Sequence, residues 1–354
     1  MFSKTKKNQR RNNRRPLRTE SLETRKLMAG DVLVEFTGGD LKITGDDSAN
    51  EIRLVEVGES LEVRGVGTTQ INGNNAPFSI PTAAIDDVMI ETARGDDIVQ
   101  IQNVDLGNPD LPSLAGANVS NLNIELGRGD NRLEIDNVFV EGDLRVDATP
   151  SRAGDNTINL NNVLSLYDIK VWTGSGDDQV TLANATAVDD IRVGTAGGDD
   201  IVFVTNASAN DNVSIDSGSD DDTIVVSGTS AEDLYVVGNR GDDVIVLNDL
   251  AILDLVRVDS GRGDDMVVVS DTNADRMALY TGSGEDELQV TDSSTRRLWI
   301  DMGSGDDFAD LDNLLASSYS IKGGRGVDVL DVTINDPLVE GRFEGAQRGF
   351  ESVQ

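Results

Sequence analysis

The sequence predicts an all-β protein: a single-stranded right-handed parallel β-helix (β-solenoid) with 21–22-residue coils. Three observations predict this fold. A Gly-Asp turn recurs with a period of about 21–22 residues between residues 174 and 328, and two short strands of alternating apolar and polar residues flank each turn. No stretch keeps the 3.6-residue apolar period of a helix. Such short strands bury their apolar face only by stacking coil on coil, and parallel crossovers are almost always right-handed.

The predicted core consists of the inward residues of the two strands in each coil. The strand before the turn contributes one column, and the strand after it contributes two positions per coil, two and four residues beyond the second Asp. Representative members are Val171, Val193 and Ile215 before the turn, and Val202, Val204, Ile224 and Val226 after it. Aromatic residues make up only 4% of the chain, so this core is thin and aliphatic.

Composition narrows the possible chemistry. The chain has no Cys and no His, which excludes disulfides, the usual nucleophile–base pairs and the common zinc sites. Its net charge is −34, and residues 1–29 contain ten Lys/Arg against two Asp/Glu, so the remaining residues are even more acidic than the whole. A body of this charge repels nucleic acid and anionic membranes and attracts divalent cations. Carboxylates therefore remain as the candidate functional groups.

Residues 1–29 differ in character from the rest of the chain. They are basic, without a strand pattern and without the apolar run of a secretory signal peptide, and we expect a disordered sorting or processing segment. Residues 17–30, LRTESLETRKLMAG, resemble the N-terminal Leu-Glu-Pro-Arg-x-Leu-Leu motif of planctomycete surface and extracellular proteins. The matching residues are Leu22, Glu23, Arg25 and Leu27. The resemblance implies a secreted or cell-surface protein.

The remaining residues divide into three predicted regions. Residues 30–87, which include a first turn at Gly45, are expected to form irregular N-terminal rungs and a cap, because an end coil exposes unpaired strand edges. Residues 88–341 form the regular β-solenoid, with its largest insertion at 103–121, and 342–354 form a C-terminal closing segment. No apolar run reaches the length of about 18 residues that a membrane span needs.

The candidate functional residues are the second acidic residue of each Gly-Asp turn. The copy at 323–331, GGRGVDVLD, matches the nonapeptide G-G-x-G-x-D-x-U-x. This turn resembles the calcium-binding repeat of RTX-type (haemolysin-type) secreted proteins, and the resemblance implies Ca²⁺ held by glycine carbonyls and by the Asp at the sixth position. The predicted metal ligands are Asp97, Asp178, Asp200, Asp222, Asp243, Asp265, Asp286, Asp307 and Asp328, with Asn131 and Asn156 taking the same place in two coils.

Two interpretations of these turns stay open at the level of the sequence. Gly allows positive φ and Asp accepts hydrogen bonds within its own turn, so the motif could be purely structural. Stacked carboxylates repel one another, however, and most turns carry two adjacent Asp residues where one would cap the turn. Several turns also place Arg three residues before the column, and we expect these arginines to bridge the acidic column in coils that lack calcium.

The sequence therefore predicts a non-enzymatic, calcium-binding, secreted or cell-surface β-solenoid that acts as a structural or adhesive scaffold. Its expected partners are calcium ions, and cell-surface polysaccharide or other surface proteins; nucleic acid and a membrane span are not expected. Two alternatives are a metal-free structural spacer and a carbohydrate-active β-helix related in fold to polysaccharide lyases and hydrolases. The enzyme alternative needs long loops that build a groove, and the insertion at 103–121 holds few candidate groups.

Overall fold

The computed structural model describes residues 30–106, 121–149, 154–333, 347–348 and 350–353, the last two ranges by their backbone. The predicted N-terminal segment 1–29, residues 107–120 of the 103–121 insertion and most of the closing segment 342–354 lie outside the described residues. Within them the chain is all β, with a single 3₁₀ turn at Thr82–Ala84 and no α-helix. The predicted fold class, a parallel β-solenoid, is confirmed.

Each coil has one strand before the Gly-Asp turn, which we call the pre-turn strand. In the later coils this strand is longer, because it also includes the short segment that connects one coil to the next. The pre-turn strands are β2 (Asp40–Thr44), β7 (Asp87–Glu91), β9 (Leu122–Glu125), β11 (Leu144–Asp147), β13 (Ile169–Trp172), β16 (Ile191–Gly194), β19 (Asn212–Asp216), β21 (Ser230–Arg240), β23 (Ala251–Arg262), β25 (Asn273–Ser283), β27 (Ser294–Asp301), β29 (Leu315–Lys322) and β31 (Gln347–Arg348).

A second strand, the post-turn strand, follows each turn. Its members are β3 (Glu51–Val57), β8 (Ile98–Asp105), β10 (Arg132–Val140), β12 (Thr157–Ser165), β14 (Gln179–Ala183), β17 (Ile201–Thr205), β20 (Thr223–Ser227), β22 (Val244–Asn248), β24 (Met266–Ser270), β26 (Glu287–Thr291), β28 (Phe308–Asp312), β30 (Asp328–Thr333) and β32 (Phe350–Val353). Two coils also have a separate short connecting strand, β15 (Thr186–Ala187) and β18 (Ser208–Ala209).

Strands of the same class pair in parallel from coil to coil, so equivalent residues form straight columns. Val180 aligns with Val202, which aligns with Ile224, and the pre-turn residues Val171, Val193 and Ile215 align in the same way. The inward members of these columns are 0–3% exposed. The predicted core columns are therefore buried, and one period of the sequence repeat forms one complete coil.

The N-terminal residues add an antiparallel layer to the first coil. The strands β1 (Asp31–Thr37), β4 (Ser60–Gly65), β5 (Gln70–Ile71) and β6 (Phe78–Pro81) lie outside the regular repeat. Strand β1 pairs antiparallel with β2, and β4 pairs antiparallel with both β3 and β6, whereas β2 and β3 stack in parallel on β7 and β8.

The Gly-Asp turns stack as closely as the strands do. Gly305 has a φ of 143°, and a Cβ atom on it would lie 1.6 Å from the carbonyl oxygen of Gly284 in the preceding coil. Only glycine fits this position, because of both the backbone conformation and the contact. The turn backbones are hydrogen-bonded between coils, for example from the Gly176 amide to the Gly197 carbonyl at 2.9 Å. This stacking aligns the acidic residue of each turn with those of its neighbours.

Candidate metal centre

All nine predicted ligands lie in one buried column at the junction of turn and post-turn strand. Their side chains are 0–2% exposed, as are those of the two Asn residues in the same position. We call this set the buried column: Asp97, Asn131, Asn156, Asp178, Asp200, Asp222, Asp243, Asp265, Asp286, Asp307 and Asp328. The structure thus brings together every residue that the sequence singled out, but it places them inside the coil rather than on its solvent side.

One oxygen of each side chain in the buried column serves the backbone. The amide of Asp178 donates to Oδ1 of Asp200 at 2.7 Å, and the amide of Asp200 donates to Oδ1 of Asp222 at 2.8 Å. The same bond links every successive pair from Asn50 to Asp328. Each Oδ1 atom therefore joins its own coil to the preceding one, which is a structural role independent of any metal.

The Asp that precedes the buried column has a structural role of its own. These residues are exposed and accept in the opposite direction along the stack: Oδ1 of Asp177 accepts from the amide of Asp199 at 3.1 Å, and Oδ1 of Asp199 accepts from the amide of Asp221 at 3.1 Å. Two adjacent Asp residues thus bind the coil above and the coil below. The doubling of Asp is explained by hydrogen bonding, and it does not by itself indicate a cation.

The coils with Asn show what the second side-chain atom of this position contacts. Nδ2 of Asn131 donates to the Gly129 carbonyl at 3.0 Å and to Oδ1 of Asn156 at 3.1 Å. Nδ2 of Asn156 makes the equivalent bonds, to the Gly154 carbonyl at 3.0 Å and to Oδ1 of Asp178 at 2.9 Å. The second atom therefore faces two acceptors, one in its own turn and one in the next coil, and an amide satisfies both.

In the coils with Asp the second atom is another acceptor. Eight Oδ2 atoms are buried and have no hydrogen-bond donor: those of Asp97, Asp178, Asp200, Asp222, Asp243, Asp265, Asp286 and Asp307. Six of these coils have a Thr or Ser five residues before the column. In five of them its hydroxyl donates to a backbone carbonyl of the next coil, whereas Thr92 is placed to hydrogen-bond the carboxyl group of Asp97. Thr195, before Asp200, donates to the Ser217 carbonyl at 2.8 Å. A hydroxyl carries one hydrogen, so it can donate either to this carbonyl or to the neighbouring carboxyl group, where it acts to lower the pKa. Asp243 and Asp307 have Gly238 and Met302 in that place and so have no hydroxyl there.

Burial of these carboxyl groups favours their protonated form. Removal from water raises the pKa of Asp200 to about 8, against the opposing effect of the ladder hydrogen bond. The same cause raises the pKa of Asp243 and Asp286 to about 7 and that of Asp222, Asp265 and Asp307 to about 6. It also raises the pKa of Asp97 and Asp178. Neighbouring carboxylates add to the effect, those of the column for Asp200, Asp243 and Asp286 and those of the exposed turn residues for Asp222 and Asp265.

The donor set fits a hard cation or a proton. It consists of carboxylate and carbonyl oxygens only, which are the ligands that Ca²⁺ prefers. In the described part of the chain no three acidic side chains gather around one point, so a cation would draw on carboxylates of successive coils and on turn carbonyls. The expectation for the turn arginines is wrong: Arg94, Arg240 and Arg262 form no ion pair with any described residue.

Two features of the site escaped the sequence interpretation. Asn50 continues the buried column into the first coil, three residues beyond the Gly45-Asp46-Asp47 motif. A second ladder lies where each pre-turn strand begins, in which the amide of Asp190 donates to Oδ1 of Asp168 at 3.0 Å. Burial is the largest single effect and acts to raise the pKa of Asp168. The hydrogen bonds from Lys170 and from the Asp190 amide, together with the charges of Lys170 and Arg192, outweigh burial, and the pKa is lowered. Acidic residues of this second ladder form ion pairs with basic side chains, whereas the carboxyl groups of the buried column do not.

The raised pKa values predict an unusual pH dependence. In the unfolded chain these Asp residues release their protons near pH 3.8, whereas in the folded chain they hold them to about pH 6–8. Their contribution to stability is complete below the unfolded value and is lost as the pH rises through the folded values. In excess chelator, the melting temperature should therefore fall between about pH 5 and about pH 9.

Thermal melting followed by circular dichroism measures this dependence. The variant Asp200→Asn removes the group with the highest pKa and should flatten the curve. A melting temperature that rises steadily over this range would contradict the prediction.

One solved structure and one family model are similar to parts of this chain. No curated protein matches the sequence significantly. The X-ray structure of a hyperactive, Ca²⁺-dependent, β-helical antifreeze protein from an Antarctic bacterium is similar over 76% of this chain and 86% of that one, with 18% identity and a TM-score of 0.41.

The family model for planctomycete extracellular proteins matches residues 13–32. This range includes the residues that carry the motif described above. In the part of the chain that the structure describes, no helix has both the length and the apolar character to span a bilayer. The protein is secreted or lies at the cell surface, and its residues 13–32 are similar to a segment of planctomycete extracellular proteins.

Proposed function

We propose that this β-solenoid is a non-enzymatic scaffold that binds Ca²⁺ along the buried column, in turns that resemble RTX repeats. One observation carries the proposal: a row of buried carboxyl oxygens that face other oxygens and whose nearest donor, where there is one, is a hydroxyl that also faces a backbone carbonyl. A buried acceptor left unsatisfied costs about 1–3 kcal/mol, and more when it is charged. A divalent cation shared between coils turns this repulsion into attraction and makes the stack rigid.

The residues that would hold such an ion follow from the Asn-containing coils. For the coil that ends in Asp200, they are Oδ2 of Asp200, Oδ1 of Asp222 and the carbonyl oxygen of Gly198, by analogy with the contacts of Asn131. Each site would join two coils, so the ions act as links along one edge of the solenoid. The two Asn-containing coils satisfy the same contacts with an amide and need no cation there.

The scaffold role is supported by the shape of the chain and by its groups. The described turns are short and evenly repeated, and the sequence has neither His nor Cys to act as nucleophile or base. Stiff stacked coils suit a structural or adhesive element at the cell surface. We place the protein in this class rather than among carbohydrate-active β-helices.

Calorimetric titration of metal-free protein tests the proposal directly. At pH 8 we expect several Ca²⁺ ions to bind per chain with dissociation constants of about 10⁻⁴–10⁻³ M, the range of extracellular modules. Mg²⁺ should bind more weakly, since it gives up its water reluctantly. The variant Asp200→Asn/Asp222→Asn/Asp243→Asn should bind fewer ions. Absence of any Ca²⁺ heat beyond that of Mg²⁺ would refute calcium binding.

A metal-free spacer is the second candidate, and a specific observation favours it. The raised pKa values mean that a proton on Oδ2 could donate to the turn carbonyl, as Nδ2 of Asn131 does to Gly129. Protons and Ca²⁺ then compete for the same oxygens. The calcium proposal predicts that Ca²⁺ affinity rises with pH through the range 6–8, whereas a proton-filled column shows no specific Ca²⁺ binding at any pH.

A further inference from the structure

The outward face of the pre-turn sheet carries a groove that the buried column does not explain. Its outward residues form three columns over strands β23, β25, β27 and β29. The central column includes Arg257, Ala278 and Trp299; Arg276 and Arg297 lie in one flanking column, and Tyr280 lies in the other. Because Ala278 is small and lies between Arg257 and Trp299, the surface dips there and forms a groove of about 390 Å³.

The groove extends across strands β23 to β29, and the strand spacing sets its dimensions. Arg257 and Trp299 lie two coils apart, which is about 9.6 Å for strands spaced at about 4.8 Å, and the lining continues to Ser320 in the next coil. The volume lies within the usual range of small-molecule sites, roughly 300–1,000 Å³. The lining includes Ala278, the indole of Trp299 and three arginines. A single sugar ring with its substituents has these dimensions.

Two aromatic side chains of the groove are partly exposed, and a cation lies over the ring of each. Trp299 is 41% exposed, and the ammonium of Lys322 lies 4.6 Å from the centre of its ring. The guanidinium of Arg257 lies 4.8 Å from the centre of the Tyr280 ring. An exposed indole offers an apolar face on which the C–H groups of a sugar can stack, and it loses little conformational freedom in doing so.

The arginines differ in how many donors they have left. Arg276 is bound to Asp254 through two hydrogen bonds of 2.8 and 2.5 Å, and Arg257 pairs with Asp259 at 3.2 Å. The guanidinium of Arg297 makes no hydrogen bond or ion pair with any residue in the described ranges, and Arg297 is exposed. Its planar fork matches a carboxylate through two parallel hydrogen bonds.

The charge of the whole protein limits the kind of ligand. The chain carries a net charge of −34, so a dense polyanion such as nucleic acid, with one charge per about 1.7 Å, is repelled. A glycan with one carboxylate per sugar ring is less densely charged than nucleic acid, and a local cation can bind it because charges beyond about 8 Å are screened at physiological salt. From this juxtaposition of Trp299, Ala278 and Arg297, we propose that the groove binds an acidic glycan, with its sugar ring on Trp299 and its carboxylate on Arg297.

This site is independent of the proposed calcium function, because it lies on the outer face of the sheet and not in the buried column. Calcium can also link an acidic glycan to an acidic protein, so the test is made both in Ca²⁺ and in excess chelator, below the melting transition. The probes are polygalacturonate, neutral dextran and dextran sulfate, each titrated into the full chain by biolayer interferometry. We expect polygalacturonate to bind in both buffers and neutral dextran to bind much more weakly.

Matched variants test the assigned residues. Trp299→Ala and Arg297→Ala should each weaken polygalacturonate binding by about tenfold or more, as central Trp and Arg contacts do. Two controls should change binding by less than about twofold: Arg296→Ala, whose residue is exposed and paired with Asp275, and Phe308→Ala, whose residue is 38% exposed on the post-turn sheet. Arg297→Lys keeps the charge and Trp299→Phe keeps an aromatic ring, so their affinities for polygalacturonate should lie between those of the alanine variants and the unmodified chain.

Three results would overturn the proposal. The first is that the folded protein binds none of the probes. The second is that the Trp299 and Arg297 variants bind as well as their controls, whether binding needs no Ca²⁺ or requires it. The third is equal binding of neutral dextran, which would remove the role of the carboxylate; tighter binding of dextran sulfate would replace the carboxylate with a sulfate as the recognised group.

Discussion

Replacement of Val202 by Asp is expected to lower the free energy of unfolding by roughly 3–5 kcal/mol. Val202 is 0% exposed, and its column neighbours Val180 and Ile224 are equally buried, so the new carboxylate has neither a partner nor access to water. Because each coil contacts only its two neighbours, one disrupted coil interrupts the stack on both of its faces. Urea unfolding followed by circular dichroism measures the loss.

The adjacent position provides a matched control. Phe203 follows Val202 in the same strand but points outward, so Phe203→Asp introduces the same charge on the other face. This variant should unfold within about 1 kcal/mol of the unmodified chain. If both variants are equally destabilised, the alternation of inward and outward residues in β17 is not what holds the coil.

The second large effect is expected from Asp200→Asn/Asp222→Asn/Asp243→Asn. In excess chelator at pH 8 this variant should be more stable than the unmodified chain by about 1 kcal/mol per coil, since each amide keeps the Oδ1 ladder and supplies the missing donor. Asn131 and Asn156 already use this arrangement. In Ca²⁺ the stability difference between the variant and the unmodified chain should shrink or change sign, because the variant has lost the carboxylates that the ion binds.

Net charge must be separated from position in this experiment. The variant Asp199→Asn/Asp221→Asn/Asp242→Asn removes the same number of charges from the exposed ladder of the same turns and also keeps its Oδ1 acceptors. Its stability in chelator should rise by less than half as much, and its response to Ca²⁺ should be retained. Equal gains in the two variants would show that general charge repulsion, and not the buried oxygens, sets the stability.

The sequence predicts the fold well because the fold is repetitive. A regular repeat with two alternating strands in each copy is sufficient to place Val202 and Ile224 in the core, and the structure buries both. The first coil is harder to predict from the sequence. Its Gly45-Asp46-Asp47 motif lies at the start of the connection between β2 and β3, whereas in the regular coils the Gly-Asp motif lies at the end of the connection. The motif therefore looks like a turn of the repeat, while Asn50 takes the column position.

The hydrogen bonds of the site depend on contacts between coils, which the order of residues does not specify. Two adjacent Asp residues in one turn suggested an excess of charge. In the structure, however, the Asp178 amide donates to Asp200 in the next coil, and the Asp199 amide donates back to Asp177 in the preceding coil, so each acid serves a hydrogen bond between coils. The groove is similar in this respect. Ala278 and Trp299 are a full coil apart in the sequence and become neighbours only when the repeats are stacked, so alignment of the repeats by column is the signal that would have revealed it.

The central claim is that Ca²⁺ fills the buried column, and thermal melting tests it most directly. The full chain is melted at pH 8 in millimolar Ca²⁺, in equal Mg²⁺ and in excess chelator at matched ionic strength. Each independent site at ten times its dissociation constant contributes about 1.4 kcal/mol, so several sites raise the melting temperature well beyond any effect of screening. We predict a large upward shift in Ca²⁺ that Mg²⁺ does not reproduce and that shrinks in Asp200→Asn/Asp222→Asn/Asp243→Asn. Equal melting temperatures in Ca²⁺ and Mg²⁺ would contradict the claim and identify the column as purely structural.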